Sequence, residues 1–580
     1  MSKLNIDQKT IKDLLISKKS DFLIPDYQRP YAWTDEECET LWNDIFTFAF
    51  PNDDYTLFDS DNDEYFLGPI VTFKNGENKL EIIDGQQRLT TIMLLLRAFY
   101  SKFDHMKDPQ SVKTRETIAK CIWKTDEFES PDINQLKIDS QVASDNDKEE
   151  FLEILRNGIT TDLQKSKYAK NYAFFQEKIS KLVNEYPSYT AYMATRILNN
   201  VILLPIEAES QDTALRIFST LNDRGLPLSD ADIFKSQFYK YYSDLGKKDE
   251  FIARWKELEA LCGRIFNPST GTPMDELFTR YMYYERAKQG NKNTTTEALR
   301  NFYEKDAYKL LKQNETLTNM EKLAEFWNKV DKQDTDYFSE RVLKKLFVLK
   351  YAPNSMWTNI VSVYFMSKKD NNEQLDEESF YDFLNLITAF IWAYAIERPG
   401  VNALRSPVYP ELINIVNNQP VTFDNYKFDR NSIKSKIKAY TFSNGRPITK
   451  SMLTWWAFTD DEQKLLDIET KLEIEHIYAK KRDEVENAIK DKGNLESLGN
   501  KSLLEKRINI RAADYRFNDK KKYYQGFVNS KGIQKDGTEI HDLISLADSK
   551  NDFLENDIKA RNDSIIDSFV SYLDSNNLIM

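Results

Sequence analysis

A chain that runs an apolar stretch, Lys79 to Ile83, into Asp84-Gly85 and then into TTIMLLLRAFYSKF without Gly or Pro has few ways to fold. The first part suits a strand, the Asp-Gly pair a tight turn, and the remainder a helix from Leu89 onward. The apolar residues of that helix cover more than one face, so it should be buried on most sides. Phe22 to Pro25 and Tyr65 to Phe73 supply further strand-like runs, and an α/β unit is expected over the first hundred residues.

Helical periodicity dominates from there to about residue 440, as in Ala214 to Leu221, Asp230 to Tyr242, Phe251 to Cys262 and Met320 to Val330. Polar, turn-rich Lys288 to Thr296 marks a surface loop, and Asn444-Gly445-Arg446-Pro447 a boundary. With 580 residues and roughly 100 to 200 residues per domain, three or four units are expected. Cys38, Cys121 and Cys262 lie far apart and form no CxxC pair, which points to buried free thiols. The most apolar stretch, about Leu386 to Ile396, is shorter than the roughly 20 residues that cross a bilayer, and the start has no signal-peptide core, so no membrane and a cytoplasmic location are expected.

Two segments near the start carry unusual chemistry. In IPDYQRPYAW (Ile24 to Trp33) two prolines hold the backbone extended while Gln28 and Arg29 project from it. In IIDGQQRLTT (Ile82 to Thr91) a strand opens through Gly85 into a helix. Its unpaired first-turn N–H groups suit an anion, Arg88 offers a fork for phosphate oxygens, and Asp84 could hold a metal or orient water. Asp84 and Thr90 equally suit plain helix capping, and this segment alone leaves both readings open.

The net charge of −13 is unlike that of a nucleic-acid binder, yet its distribution matters more than its sum. From Lys501 to Lys522 eight basic residues (Lys501, Lys506, Arg507, Arg511, Arg516, Lys520, Lys521, Lys522) face three acidic ones, a local +5 that suits DNA phosphates. His476 ends the alternating stretch Leu472-Glu473-Ile474-Glu475-His476, followed by Gly499-Asn500-Lys501-Ser502-Leu503-Leu504, Asn509 and Asn518. A histidine near neutral pKa to deprotonate water, and hard oxygen ligands for Mg²⁺ or another divalent cation such as Mn²⁺, are what phosphodiester hydrolysis needs. His105 and His541, the other two histidines, have no such company and default to structural or solvent-facing roles.

IPDYQRPYAW, FLGPIV (Phe66 to Val71), IIDGQQRLTT and FSTLNDRGLPLSDADIFKSQ (Phe218 to Gln237) together resemble the DUF262 family. That resemblance implies a ParB/sulfiredoxin-like N-terminal α/β module that binds and hydrolyses a nucleoside triphosphate. Gln28, Arg29, Asp84, Gln86, Gln87 and Arg88 would line its site, with Asn222, Arg224 and Gly225 closing it. Asp232 and Lys235 would support the next helix, though an i,i+3 pair that merely stabilises the helix fits them equally.

Glu475-His476, GN-x-x-LL and Asn509 resemble the DUF1524 branch of HNH nucleases, which implies a C-terminal ββα-metal domain. By that resemblance His476 is the general base, Asn500 supports it, and Glu475 and Asn509 are metal ligands. The chain departs from the pattern in lacking a proline shortly after the histidine, where Tyr478-Ala479-Lys480 stand.

The fold class expected is α+β, predominantly helical, with a nucleotide-sensing domain over 1–240, a helical connector over 241–445 and a nuclease domain over 446–580. The pairing of the two ends resembles GmrSD-type, modification-dependent restriction systems. It implies an anti-phage endonuclease acting on double-stranded, modified phage DNA, with triphosphate hydrolysis regulating metal-dependent cleavage; a homo-oligomer stays open. The alternatives are a nucleotide-hydrolysing DNA-binding switch with an inactive HNH remnant, and a non-catalytic scaffold.

Overall fold

The computed structural model describes residues 5–6, 8–142, 145–158, 166–211, 213–214, 217, 229–400, 402–512 and 516–580. Asn222, Arg224 and Gly225 lie outside them, as does most of the helix expected from Ala214. The protein is predominantly helical, 60% helix and 10% strand, with one small mixed sheet, an α+β chain. Its contacts divide it into two compact units, Met1–Glu257 and Leu258–Met580.

The first unit is organised on a seven-stranded sheet. Its central strands are Tyr65–Lys74 and Leu80–Asp84, paired antiparallel. Val201–Ala208 runs parallel to the first of them, and Phe22–Ile24 lies parallel between Leu80–Asp84 and Ile138–Ser140. Two short strands, Asn5–Ile6 and Lys9–Thr10, close the Val201–Ala208 edge. The expected strand–turn–helix is present, and its helix, Gln86–Phe103, starts three residues before Leu89. Leu89, every residue from Thr90 to Phe99, and Phe103 are buried, which is the outcome of an apolar surface too wide for one face.

The second unit is a helical assembly carrying a two-stranded antiparallel hairpin, Leu472–His476 with Lys501–Glu505, and a second short hairpin, Phe527–Val528 with Gln534–Lys535. The helix Pro273–Lys288 ends at the polar loop expected after it, and Pro447 opens the helix Pro447–Ala457 at the position where a missing N–H costs nothing. Among the described residues one helix, Glu377–Glu397, is long and apolar enough to cross a membrane by length and composition. It is longer than the Leu386 to Ile396 stretch suggests, and 67% of its apolar window is buried inside the unit. All three cysteines are free and buried.

Candidate functional site

Two places in the structure carry the residues singled out above. In the first unit, Gly85 has φ +91°, a left-handed conformation that the turn requires, and a Cβ there would press on Ile70 and the Pro69 carbonyl. The Arg88 guanidinium turns back over the sheet, donating to the Pro69 carbonyl (2.9 Å) and pairing with Asp84 (3.3 Å). Gly68 explains the glycine of FLGPIV: its φ is +133°, and a Cβ would sit 1.8 Å from Arg88 Nη1. Burial raises the Asp84 carboxyl above the ordinary range, opposed by Arg88, the Gly85 N–H and Arg29.

The glutamines do internal work. Gln28 donates to the carbonyls of Ile82 and Ile83, Gln86 to that of Arg29, and Gln87 to that of Pro30 while accepting from the Ala32 N–H (2.7 Å). They stitch the proline-bearing segment to the helix mouth, so six of the expected nucleotide-site residues are brought together: Gln28, Arg29, Asp84, Gln86, Gln87 and Arg88. Gln86 Oε1 is buried without a hydrogen bond, one unsatisfied acceptor at this mouth. Asp232 completes a capping box with Ser229, the structural role its position allowed.

In the second unit, the hairpin register sets His476 opposite Lys501 and Glu475 opposite Ser502. Alternation along the strand sends neighbouring side chains to opposite faces. Glu475 points inward, where its Oε1 accepts from the Lys520 ammonium (2.6 Å) and the Tyr524 hydroxyl (2.8 Å). Glu473, two residues earlier on the same face, accepts from Asn509 Nδ2 (3.0 Å). His476 lies on the other face, with Nε2 buried, unbonded and 4.0 Å from Glu496 Oε1. Glu496 is itself clasped by Lys480 and by Lys501 (2.6 Å).

Asn500 holds the loop that leaves His476. Its Oδ1 accepts from the Tyr478 N–H (2.8 Å), and its Nδ2 donates to the carbonyls of Tyr478 and Leu495 (3.1 Å each). Gly499 precedes it because the helix Glu555–Ser575 crosses there: a Cβ would lie 2.1 Å from the Ile558 carbonyl oxygen. Arg561 on that helix donates to the carbonyls of Leu498, Gly499 and Lys501 and pairs with Asp542.

The assigned metal ligands do not fit one divalent ion in this arrangement. Glu475 already has a buried cation as partner, Asn509 reaches Glu473 instead, and His476 faces away from both. Among the described residues no three His, Cys, Asp or Glu side chains form a metal-holding group. Sequence reasoning passed over Glu473 and Glu496; the period-2 relation to Glu475 marks the first, while nothing local marks the second.

The basic run is also smaller on the surface than in the sequence. Lys501 (0% exposed) and Lys520 (1%) are interior cations held by Glu496 and Glu475, because a buried ammonium needs a carboxylate partner. Lys521 donates to the Lys550 carbonyl, and Arg511 to that of Asp536. Lys506, Arg507, Arg516 and Lys522 are the exposed members, Arg516 paired with Glu486 (2.6 Å). His541 is bonded through Nδ1 to Asp460 (2.6 Å), a structural role.

Burial, reinforced by the ammonium groups of Lys501, Lys480 and Lys520, lowers the His476 imidazole to about 4, with Glu496 opposing. An imidazole accepts a proton only when neutral, and the depressed value leaves the His476 ring uncharged well below the ordinary histidine range near 6.5. For a His476 that acts as a base, the acid limb of kcat/KM is therefore expected near pH 4. A limb centred at 6 to 7 would contradict this placement of the ring.

Fold and side chains together define a predominantly helical α+β protein with a glycine-opened helix mouth in one unit and a buried hairpin histidine in the other. Residues 11–239 match the family model of the GmrSD restriction endonuclease N-terminal domain, and residues 422–568 that of the GmrSD restriction endonucleases C-terminal domain. The chain thus carries both domains of a GmrSD-type restriction endonuclease, a nuclease that acts on DNA. No curated protein matches it.

Proposed function

We propose that this restriction endonuclease is an anti-phage enzyme of the cytoplasm that cleaves double-stranded, modified phage DNA by HNH-type hydrolysis at His476. Nucleoside triphosphate hydrolysis at the ParB-like Asp84–Arg88 mouth regulates the cleavage. The observation that carries the reading is the neutral imidazole of His476, with a buried, unbonded Nε2 and its exit loop pinned by Asn500. Such a nitrogen accepts a proton from water attacking a phosphodiester. Exposed Lys506, Arg507 and Lys522 supply phosphate contacts. Dependence on Mg²⁺ or Mn²⁺ belongs to the proposal as a requirement, with no ligand set assigned.

At the N-terminal mouth the helix dipole favours a phosphate, and Asp84 sits beside Arg88 to orient water or a cation. Asp84→Ala is expected to lower triphosphate hydrolysis by roughly a hundredfold, the scale of losing one preorganised polar group. Phosphate release from purified protein measures it, and an unchanged rate sinks the assignment.

One observation favours a second reading, a nucleotide-hydrolysing DNA-binding switch with an inactive HNH remnant: Glu475 is held by Lys520 and Tyr524. The deciding experiment incubates the protein with modified and unmodified phage DNA, with and without each triphosphate, in Mg²⁺, Mn²⁺ or EDTA. Cleavage and phosphate release are scored together. Cutting that EDTA abolishes supports the enzyme; phosphate release with intact DNA under every condition supports the switch.

A further inference from the structure

The second unit opens a groove of about 490 Å³ that neither candidate site uses. Its floor is apolar, formed by Pro353, Pro399, Ala403, Leu404, Pro447 and Ile448, and the guanidinium groups of Arg398 and Arg446 stand in its walls. Among the described residues no Asp or Glu side chain lines it.

Both arginines are exposed, and among the described residues neither forms an ion pair. Arg446 lies over the Tyr440 ring, 4.8 Å from its centroid, and Arg398 stands beside the Tyr394 phenol. Stacking on a ring engages the flat face of a guanidinium and leaves its N–H edge for oxygen acceptors. Glu397, next to Arg398 in the chain, is taken by Lys436 (2.7 Å). The exposed cations of the 501–522 run differ. Lys506 faces Glu473 at 3.8 Å, Arg507 faces Asp536 at 3.7 Å and Arg516 faces Glu486 at 2.6 Å, so each meets a phosphate only in competition with a carboxylate.

The groove is also tied to the surroundings of the hairpin histidine. Asn444, two residues before Arg446, accepts from the Lys501 ammonium (2.9 Å). Lys501 pairs with Glu496 (2.6 Å), and Glu496 stands 4.0 Å from His476 Nε2.

Shape and charge together select the occupant. A bare phosphate would use the guanidinium groups and leave the apolar floor uncovered, whereas an apolar peptide would do the reverse. A DNA backbone presents both, phosphate oxygens for the arginine forks and the carbon face of deoxyribose for proline and aliphatic side chains. Resting on the reading of this chain as an enzyme that acts on DNA, we propose that the groove holds the sugar–phosphate backbone of the DNA substrate, with Arg398 and Arg446 as its phosphate-binding residues.

Duplex binding by the full-length protein is followed by fluorescence anisotropy in EDTA, from about 50 to 200 mM NaCl. Each phosphate contact contributes roughly 0.9 to the slope of log affinity against log salt. Arg398→Gln and Arg446→Gln are therefore each expected to flatten the slope by about one, and the double variant by about two. At about 0.1 M salt the double variant should bind duplexes of any sequence about 10- to 100-fold more weakly. Arg430→Gln with Lys434→Gln removes the same charge from cations already paired with Asp574 and Asp567, and is expected to keep the original slope. Thermal melting checks each fold, and if the double variant fails to fold the two single variants decide. An unchanged slope in the folded variants, or an equal fall in the Arg430 and Lys434 variant, overturns the inference while the DNA-cutting reading stands. If calorimetry shows that the double variant loses binding of free dAMP while its duplex slope is unchanged, the groove belongs to a free nucleotide and the DNA backbone is overturned as its occupant. An unmodified protein that neither binds nor cuts any duplex overturns the reading itself, and the inference with it.

Discussion

His476→Ala is expected to lower DNA cleavage by about 10²- to 10⁴-fold, the range attributed to a positioned general base, while triphosphate hydrolysis stays at its ordinary rate. The expectation follows from the environment of the ring. Nε2 makes no hydrogen bond, so none is lost with it, and the cost to stability should be about 1 kcal/mol, mainly from lost packing of the ring. The Asp84–Arg88 mouth belongs to the other compact unit. Plasmid nicking, phosphate release and a thermal melt on one preparation separate these quantities. Cutting at the unmodified rate would remove His476 from the chemistry altogether.

Asn500→Ala is expected to damage both stability and cleavage. Asn500 is fully buried and meets three backbone groups through its amide, the N–H and carbonyl of Tyr478 and the carbonyl of Leu495. Alanine leaves all three without these partners, and each unmade buried group costs about 1–3 kcal/mol, so a loss of about 3 kcal/mol or more is expected. The melting temperature should fall by roughly 5–10 °C. Cleavage should fall further than partial unfolding explains, because Tyr478 is two residues from His476, the proposed base, and Asn500 holds its backbone. Asn500→Asp separates the effects, since it can accept from the Tyr478 N–H but cannot donate to either carbonyl. A melt within 1 °C or so of the unmodified protein for Asn500→Ala would show that the loop is held by other contacts.

Local pattern carried much of this. The strand, glycine turn and buried helix from Leu80 to Phe103 follow from adjacent residues, and so does the hairpin strand Leu472–His476, whose alternation is visible in five letters. What escaped was tertiary. Period-2 alternation says that Glu475 and His476 diverge but not which face meets Lys520 and Tyr524, 45 and 49 positions away. The placement of Lys501 and Lys520 in the interior likewise depends on partners that no local window contains. Glu496 reaches His476 through the packing of an intervening loop, and a charge count along the chain treats it as one more acidic residue.

Gln86 and Gln87 fasten the helix mouth to the Arg29–Ala32 backbone, 55 to 57 positions away in the chain. The backbone of Arg29 is therefore fixed to the helix that carries Arg88. A guest seated on the first turn of the helix thus meets the proline-bearing arch as part of the same wall.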